Sequence, residues 1–228
     1  MVVFRVSRTS DSAQAWKYCY GFGDHDHPLT IPVPVDISQS DLIDRKVIRG
    51  DRRGMLKIGV VGRDDPVKNH KLVIEILGAA IQKAHNWRVD FIGAGDFAEV
   101  KWHAERLGLT ERIAFHKPRR SLTEFYLNID VFLLTSAKES RPVSLIEAQM
   151  LTQRCVVSDV VDPADFLEGP IVSVVNVQKE PSEWVKAIDD CARRSPKSDA
   201  VKVAMIPFST IGVNDKWLDI YRAAADKT

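Results

Sequence analysis

The chain has 228 residues, 45% of them hydrophobic, and its 32 basic and 31 acidic side chains leave a net charge of +1. A balance this even excludes a global field that would draw the protein to nucleic acid, so any anion has to be held by local groups. Cys19, Cys155 and Cys191 are odd in number and far apart, which implies neither a disulfide framework nor a cysteine metal site and suits reduced thiols in a cytoplasmic setting.

Residues 1–55 differ in pattern from residues 56–228. The first eight residues lack the apolar centre of a signal peptide, and no apolar run approaches the ~18 residues of a membrane span. Peripheral contact with a membrane stays compatible with this. A short strand is expected at residues 2–6 and a helix at 11–20, capped by Ser10 or Asp11 and carrying Trp16, Tyr18 and Tyr20. Residues 21–28 are loop chemistry. Pro32 and Pro34 remove ladder donors, so residues 31–36 form an extended connector rather than a central strand. Asp24, His25, Asp26 and His27 are metal-ligand types, but neighbouring side chains on an extended loop diverge and no second ligand group lies downstream, so a solvated turn is expected and no metal.

From residue 56 onward short apolar runs alternate with amphipathic stretches. Strands are predicted at 56–61, 89–92, 113–115, 131–134, 155–157 and 171–174, and helices at 71–84, 97–107, 122–127 and 142–151. Further helices are predicted at 181–193 and 214–225, the latter amphipathic through Trp217, Leu218, Ile220 and Tyr221. This repeated βα alternation predicts an α/β fold, a Rossmann-like parallel sheet with helices on both faces. Ligands of such sheets bind beyond the strands' carboxyl ends, where the strand order reverses. The chemistry should therefore lie in the βα turns.

In the first turn, Gly62 to His70, Arg63 and Lys68 stand at opposite ends of a loop that leads into a helix. Together they could neutralise a diphosphate without a metal; the other reading makes them solvated cations balanced by Asp64 and Asp65. The second turn, Gly93-Ala94-Gly95-Asp96-Phe97-Ala98, fits the dinucleotide pattern, but it comes after the second strand and no acidic residue ends the next one to bind a ribose. A tight glycine turn explains it better than an NAD module, with backbone approach by another ligand left open. His116 and Lys117 end the third strand, either bordering a nucleotide pocket or forming a plain polar turn.

The run 131–134 is apolar on both alternating faces, as in a central strand buried on both sides. A helix is expected to start near Arg141 with Pro142 in its first turn, so that the N–H groups of Val143 and Ser144 face the preceding turn as an anion site. Glu139 lies in that turn. Glu147 shares a helix face with Val143, Ile146 and Met150. Its carboxylate either snorkels to water or a base, or accepts ligand hydroxyls.

Gly62-Arg63 with Lys68, the turn Gly93-Ala94-Gly95, Ser136, and Glu139 separated by seven residues from Glu147 together resemble the C-terminal, donor-binding domain of GT-B glycosyltransferases, in particular the retaining family 4. The resemblance covers about residues 56–175, and the final helix with Trp217 and Tyr221 is similar to that family's closing helix. It implies that Arg63 and Lys68 hold a donor diphosphate, that Glu139 lies against the donor sugar and that Glu147 binds ribose hydroxyls. It further implies a UDP- or GDP-linked sugar donor, a glycan or lipid-linked acceptor, retention of configuration, and no cofactor or metal. Residues 2–36 resemble only the end of the acceptor domain, which implies a GT-B N-terminal domain supplied in cis or in trans, and a boundary between residues 1–55 and 56–228. The sequence departs from the family pattern at Ser140 and His116, where glycines are usual, and at Val160-Val161-Asp162-Pro163, where a glycine-rich stretch is common. A second reading, from a different class, is a non-catalytic nucleotide-sugar-binding or regulatory domain that keeps this fold.

Overall fold

The computed structural model describes residues 6–7, 29–30, 54–163, 166–196, 212–215, 218–219 and 222. Val6–Ser7 pairs in parallel with Leu29–Thr30. The expected N-terminal helix, the Asp24 to His27 cluster, the proline connector, Trp217 and Tyr221 lie outside the described residues.

The main body alternates strand and helix, save that no helix is described between its last two strands. Its strands are β1 (Leu56–Val61), β2 (Trp87–Ile92), β3 (Ile113–His116), β4 (Val131–Leu134), β5 (Arg154–Ser158) and β6 (Ile171–Val175). Its helices are α1 (His70–Gln82), α2 (Ala98–Arg106), α3 (Thr123–Leu127), α4 (Val143–Leu151) and α5 (Pro181–Arg193). All neighbouring strands are parallel. Their order is β3-β2-β1-β4-β5-β6, so the order reverses between β1 and β4. That reversal parts the loops after the two strands and creates the crevice where a ligand is expected.

Every expected strand of this sheet is present, extended by up to two residues. Trp87 is buried and starts β2 two positions early, because the apolar face of the strand begins there. One helix start is corrected. Pro142 has extended backbone, with φ −77° and ψ 98°, and caps α4, which begins at Val143 rather than near Arg141. In the region of the final helix, residues 212–215, 218–219 and 222 are helical.

Strand alternation divides the core. Ile58, Val60, Val89, Phe91, Val131, Leu133 and Val156 face α1, α2 and α5, whose Leu72, Ile76, Leu77, Val100, Trp184 and Ile188 cover them. Phe132, Leu134, Cys155 and Val157 face the other way, onto Tyr126, Ile129, Leu145, Ile146 and Met150 from the α3 and α4 side. β4 is wholly buried, and this continuous apolar reading on both faces is what marked it as central. Each of these large side chains contributes roughly 1.5–3 kcal/mol by leaving water.

At Gly59, in the middle of β1, Ile129 and Phe125 from the α3 side press close on the sheet. A Cβ there would lie 2.3 Å from Ile129 Cδ1 and 3.1 Å from Phe125 Cε1. Overpacking of this kind destabilises by about 1–3 kcal/mol. Gly59→Ala should therefore destabilise the fold by that amount, seen as a lower urea midpoint with no change in the slope of the transition.

Candidate functional site

The loops after β1 and β4 meet across the strand reversal. Ala137 N–H donates to Val67 C=O at 2.8 Å, and the Thr135 hydroxyl lies 3.1 Å from the carbonyls of both Lys68 and Asn69. Thr135 and Ser136 are both buried, and Ser158 Oγ donates to Ser136 C=O at 2.7 Å from the end of β5. Three strands thus fix the start of the β4 turn.

Lys68 and Glu139 face each other within that junction. Lys68 Nζ lies 2.7 Å from Glu139 Oε1, and Ser136 Oγ donates to the same oxygen at 2.6 Å. The pair is mostly buried, the side chains being 19% and 9% exposed. Such an ion pair holds geometry more than it adds stability, because desolvation offsets much of the attraction. The ammonium has three donors, so two stay available for a ligand after Glu139 takes one.

Arg63 has a different partner from Lys68. Its guanidinium is 71% exposed and pairs with Asp65 Oδ2 at 3.1 Å, while Asp65 Oδ1 accepts from Val67 N at 3.0 Å and caps the short turn Pro66–Lys68. The second reading of this turn, a cation balanced by a neighbouring aspartate, describes Arg63 as it stands here. Asp64 instead accepts the N–H of Phe97 at 2.8 Å and donates its own N–H to Ala94 C=O at 2.7 Å. The first and second turns are therefore tied together.

Their contact explains the glycines. A Cβ on Gly93 would lie 1.8 Å from Gly62 C=O, and Gly95 has φ +119° with Asp64 Cβ 2.2 Å from its missing side chain. The dinucleotide-like spacing here serves the packing of turn on turn. A Cβ on Gly62 would have side-chain atoms of His70 and Lys68 as its nearest neighbours, at 3.5 Å, an ordinary contact.

Glu147 is half-buried on α4, and its Oε2 accepts a hydrogen bond from the Tyr126 hydroxyl at 2.8 Å. That hydroxyl also lies 3.1 Å from Ser144 C=O in the first turn of α4. Burial raises the carboxyl pKa above its ordinary value, partly opposed by the Tyr126 bond, and burial beside Glu147 raises the Tyr126 phenol well above its own. α4 starts without a side-chain cap, and its first intrahelical bonds are those of the Leu145 and Ile146 N–H groups to Pro142 C=O. The N–H groups of Val143 and Ser144 are left as donors at the helix's positive end.

His116 ends β3 but turns onto the sheet face. Its Nε2 lies 3.4 Å from Asp90 Oδ2, and its ring is edge-to-face with Phe125. Burial pushes the Asp90 carboxyl up, yet the hydrogen bonds and charges of Arg88 and Lys57 outweigh this and leave it below its ordinary value. Asp90 and Tyr126 were not singled out from the sequence. An acidic residue inside an apolar strand was the available signal for Asp90, and nothing local marked Tyr126.

Comparison with known proteins adds three findings. Residues 46–202 match the family model described as glycosyl transferases group 1. The putative glycosyltransferase EpsF of Bacillus subtilis is 27% identical over 191 residues, covering 81% of this chain and 49% of that protein. The Vi polysaccharide biosynthesis protein VipC/TviE of Salmonella typhi is 34% identical over 114 residues, 49% of this chain and 20% of that one. The chain thus spans half or less of these relatives. Among solved structures, Anabaena HepE in complex with UDP and glucose has a TM-score of 0.74 at 18% identity, covering 96% of this chain and 62% of its own. A glycosyltransferase from Rickettsia africae has a TM-score of 0.76 at 16% identity, covering 99% of this chain and 64% of its own. At such identities the likeness is one of fold. No helix among the described residues is long and apolar enough to cross a membrane.

The Lys68–Glu139 pair yields a stability test independent of any ligand. Lys68→Met leaves a nearly buried carboxylate unpaired and should destabilise by about 1–3 kcal/mol. Adding Glu139→Leu should restore most of the loss in urea unfolding, giving a coupling energy of similar size.

Proposed function

Since the chain belongs to the glycosyl transferases group 1 family, we propose that it is the donor-binding half of a retaining, family 4 GT-B glycosyltransferase, taking a UDP- or GDP-linked sugar. The observation that supports this is a half-buried carboxylate on α4 bonded to a fully buried tyrosine, together with the paired Lys68 and Glu139 at the junction of the β1 and β4 loops and an exposed Arg63 on the β1 loop. In this reading Glu147 accepts the ribose hydroxyls. Lys68, Arg63 and the N–H groups of Val143 and Ser144 neutralise the diphosphate, so the reading requires no metal. Glu139 keeps one oxygen on Lys68 and presents the other to the donor sugar. Gly62 and Gly93 bring backbone close to the ligand, and His116 borders the base from the end of β3.

The chemistry is departure of a nucleoside diphosphate from the anomeric carbon through an oxocarbenium-like transition state. Negative charge grows on the leaving oxygen, and fixed positive groups aimed at it lower the barrier. Each charge-assisted hydrogen bond contributes about 1.5–3 kcal/mol and the helix terminus about 0.3–2 kcal/mol. A few such contacts suffice for roughly millimolar to micromolar nucleotide binding. The acceptor, a glycan or lipid-linked sugar, belongs to an N-terminal domain in cis or in trans. A partner domain is part of this reading because the chain spans about half of EpsF.

The test is calorimetry of the 228-residue chain with UDP and GDP, then assays of UDP- and GDP-sugars with an N-terminal GT-B domain supplied and glycosyl product measured. Glu147→Gln should weaken nucleotide and nucleoside alike by about tenfold or more. Arg63→Ala should weaken diphosphates by roughly 10- to 100-fold and leave nucleosides unchanged. Unaltered affinities in both variants would sink the assignment, and donor binding without turnover in any combination would favour a regulatory domain.

A pH profile gives a further expectation. Only the ionised carboxylate accepts from both hydroxyls, and burial holds the Glu147 pKa above its ordinary 4.5. Nucleotide affinity should therefore fall, as pH is lowered, earlier than for an ordinary carboxylate. Tyr126→Phe removes the bond that opposes the rise, so it should move this fall to still higher pH.

A further inference from the structure

The peptide group between Arg63 and Asp64 is held at both ends. Its carbonyl oxygen lies 3.0 Å from His70 Nε2, and its nitrogen, that of Asp64, donates to Ala94 C=O at 2.7 Å. A carbonyl only accepts, so His70 carries its proton on Nε2. The imidazole is 5% exposed, edge-on to Phe91 with centroids 5.5 Å apart and tilted on Phe97 at the same distance. Its other nitrogen, Nδ1, is buried without a hydrogen-bond partner among the described residues. Burial lowers the His70 pKa, against the opposing effect of the Arg63 carbonyl, so the ring is neutral at pH 7.

An unsatisfied nitrogen on a ring packed against Phe91 and Phe97 is an unfavourable way to fill space, since an aliphatic side chain would pack there without it. What the imidazole supplies that an aliphatic cannot is one donor, directed at the Arg63 carbonyl. We propose that His70 is a positioning residue for Arg63: together with Ala94 it locks the peptide plane at the base of the arginine, so that only the side-chain torsions remain to be ordered when a diphosphate arrives. This rests on the reading of Arg63 as a diphosphate ligand. The Asp64 carboxylate on Phe97 N–H anchors the residue that follows this peptide bond. His70 itself touches no ligand, and Lys68, two residues before it, is fixed separately by Glu139.

The experiment uses the full chain, with UDP and GDP titrated against uridine and guanosine in four proteins: wild type, His70→Leu, Arg63→Ala and the double variant. His70→Leu nearly keeps the volume and trades the orphaned nitrogen for an unpaired, part-buried Arg63 carbonyl, so its urea midpoint should change little. Its diphosphate affinity should fall about threefold to tenfold, the worth of one neutral hydrogen bond, with nucleoside affinity unchanged. His70→Gln, which returns a side-chain N–H, should recover part of the loss. In the Arg63→Ala background His70→Leu should have no further effect, because the group it positions is gone. An equal loss for nucleosides and diphosphates, or a full additional loss in the double variant, would overturn the proposal. An Arg63→Ala variant that binds diphosphates normally would instead remove the functional reading on which it stands.

Discussion

The candidate site depends on one junction, where the loop after β1 is hydrogen-bonded to the loop after β4. A parallel sheet whose strand order reverses separates those loops, since the chain leaves β1 toward one face and β4 toward the other. Here the crevice is bridged by Ala137 N–H on Val67 C=O, by Thr135 on the carbonyls before α1, and by Lys68 on Glu139. Residues 71 apart in the chain are thereby held as one surface. The bridge contains both backbone and charge, so the charged pair is not left to find its own geometry. Fixed dipoles and charges act on a developing charge without reorganising, which is the condition for electrostatic stabilisation of a leaving group.

Glu147 is the opposite case, a charged group that opposes folding. Its pKa is raised by burial, so the folded chain holds that proton more tightly than the unfolded one does. The associated stabilisation is therefore fully present below the unfolded pKa and is lost as pH rises through the folded value. When ionised, this carboxylate works against folding, and Tyr126 recovers only part of that. A carboxylate that carries this penalty on a largely apolar helix face is what the proposed ribose contact calls for.

Much of this was legible in the sequence because it was carried by local periodicity. The six strands were visible as apolar runs, and β4 stood out as central because all four of its residues are apolar, as their burial bears out. Glu147 was visible because a helix of period 3.6 brings it onto the face of Val143, Ile146 and Met150. What stayed hidden has partners distant in the chain. Tyr126 meets Glu147 across 21 positions, and Asp64 meets Phe97 N–H across 33. The orientation of Arg63 was hidden for another reason: a flexible cation between two candidate anions has several equivalent partners on paper, and only the fold selects Asp65. Pro142 proved to be a cap because its extended backbone lets the turn from Ser136 reach the helix.

The glycines show how a pattern can be right in form and different in cause. Gly93-Ala94-Gly95 fits a dinucleotide fingerprint, yet Gly93 is required where Gly62 C=O would be 1.8 Å from a Cβ, and Gly95 where φ is +119°. The two turns have to interlock before either can meet a ligand. That interlocking also fixes Asp64, and through it the peptide plane of Arg63, while the guanidinium above stays exposed. A rigid base under an exposed head, paired only with Asp65, divides the ordering of the arginine into two parts. In the proposed reading the backbone is ordered on folding, and only the side chain, at about 0.5–1.5 kcal/mol for a rotamer-rich group, is ordered on binding. An arginine on a loop with an unfixed backbone would have to order both at once and would bind a diphosphate more weakly for the same contacts.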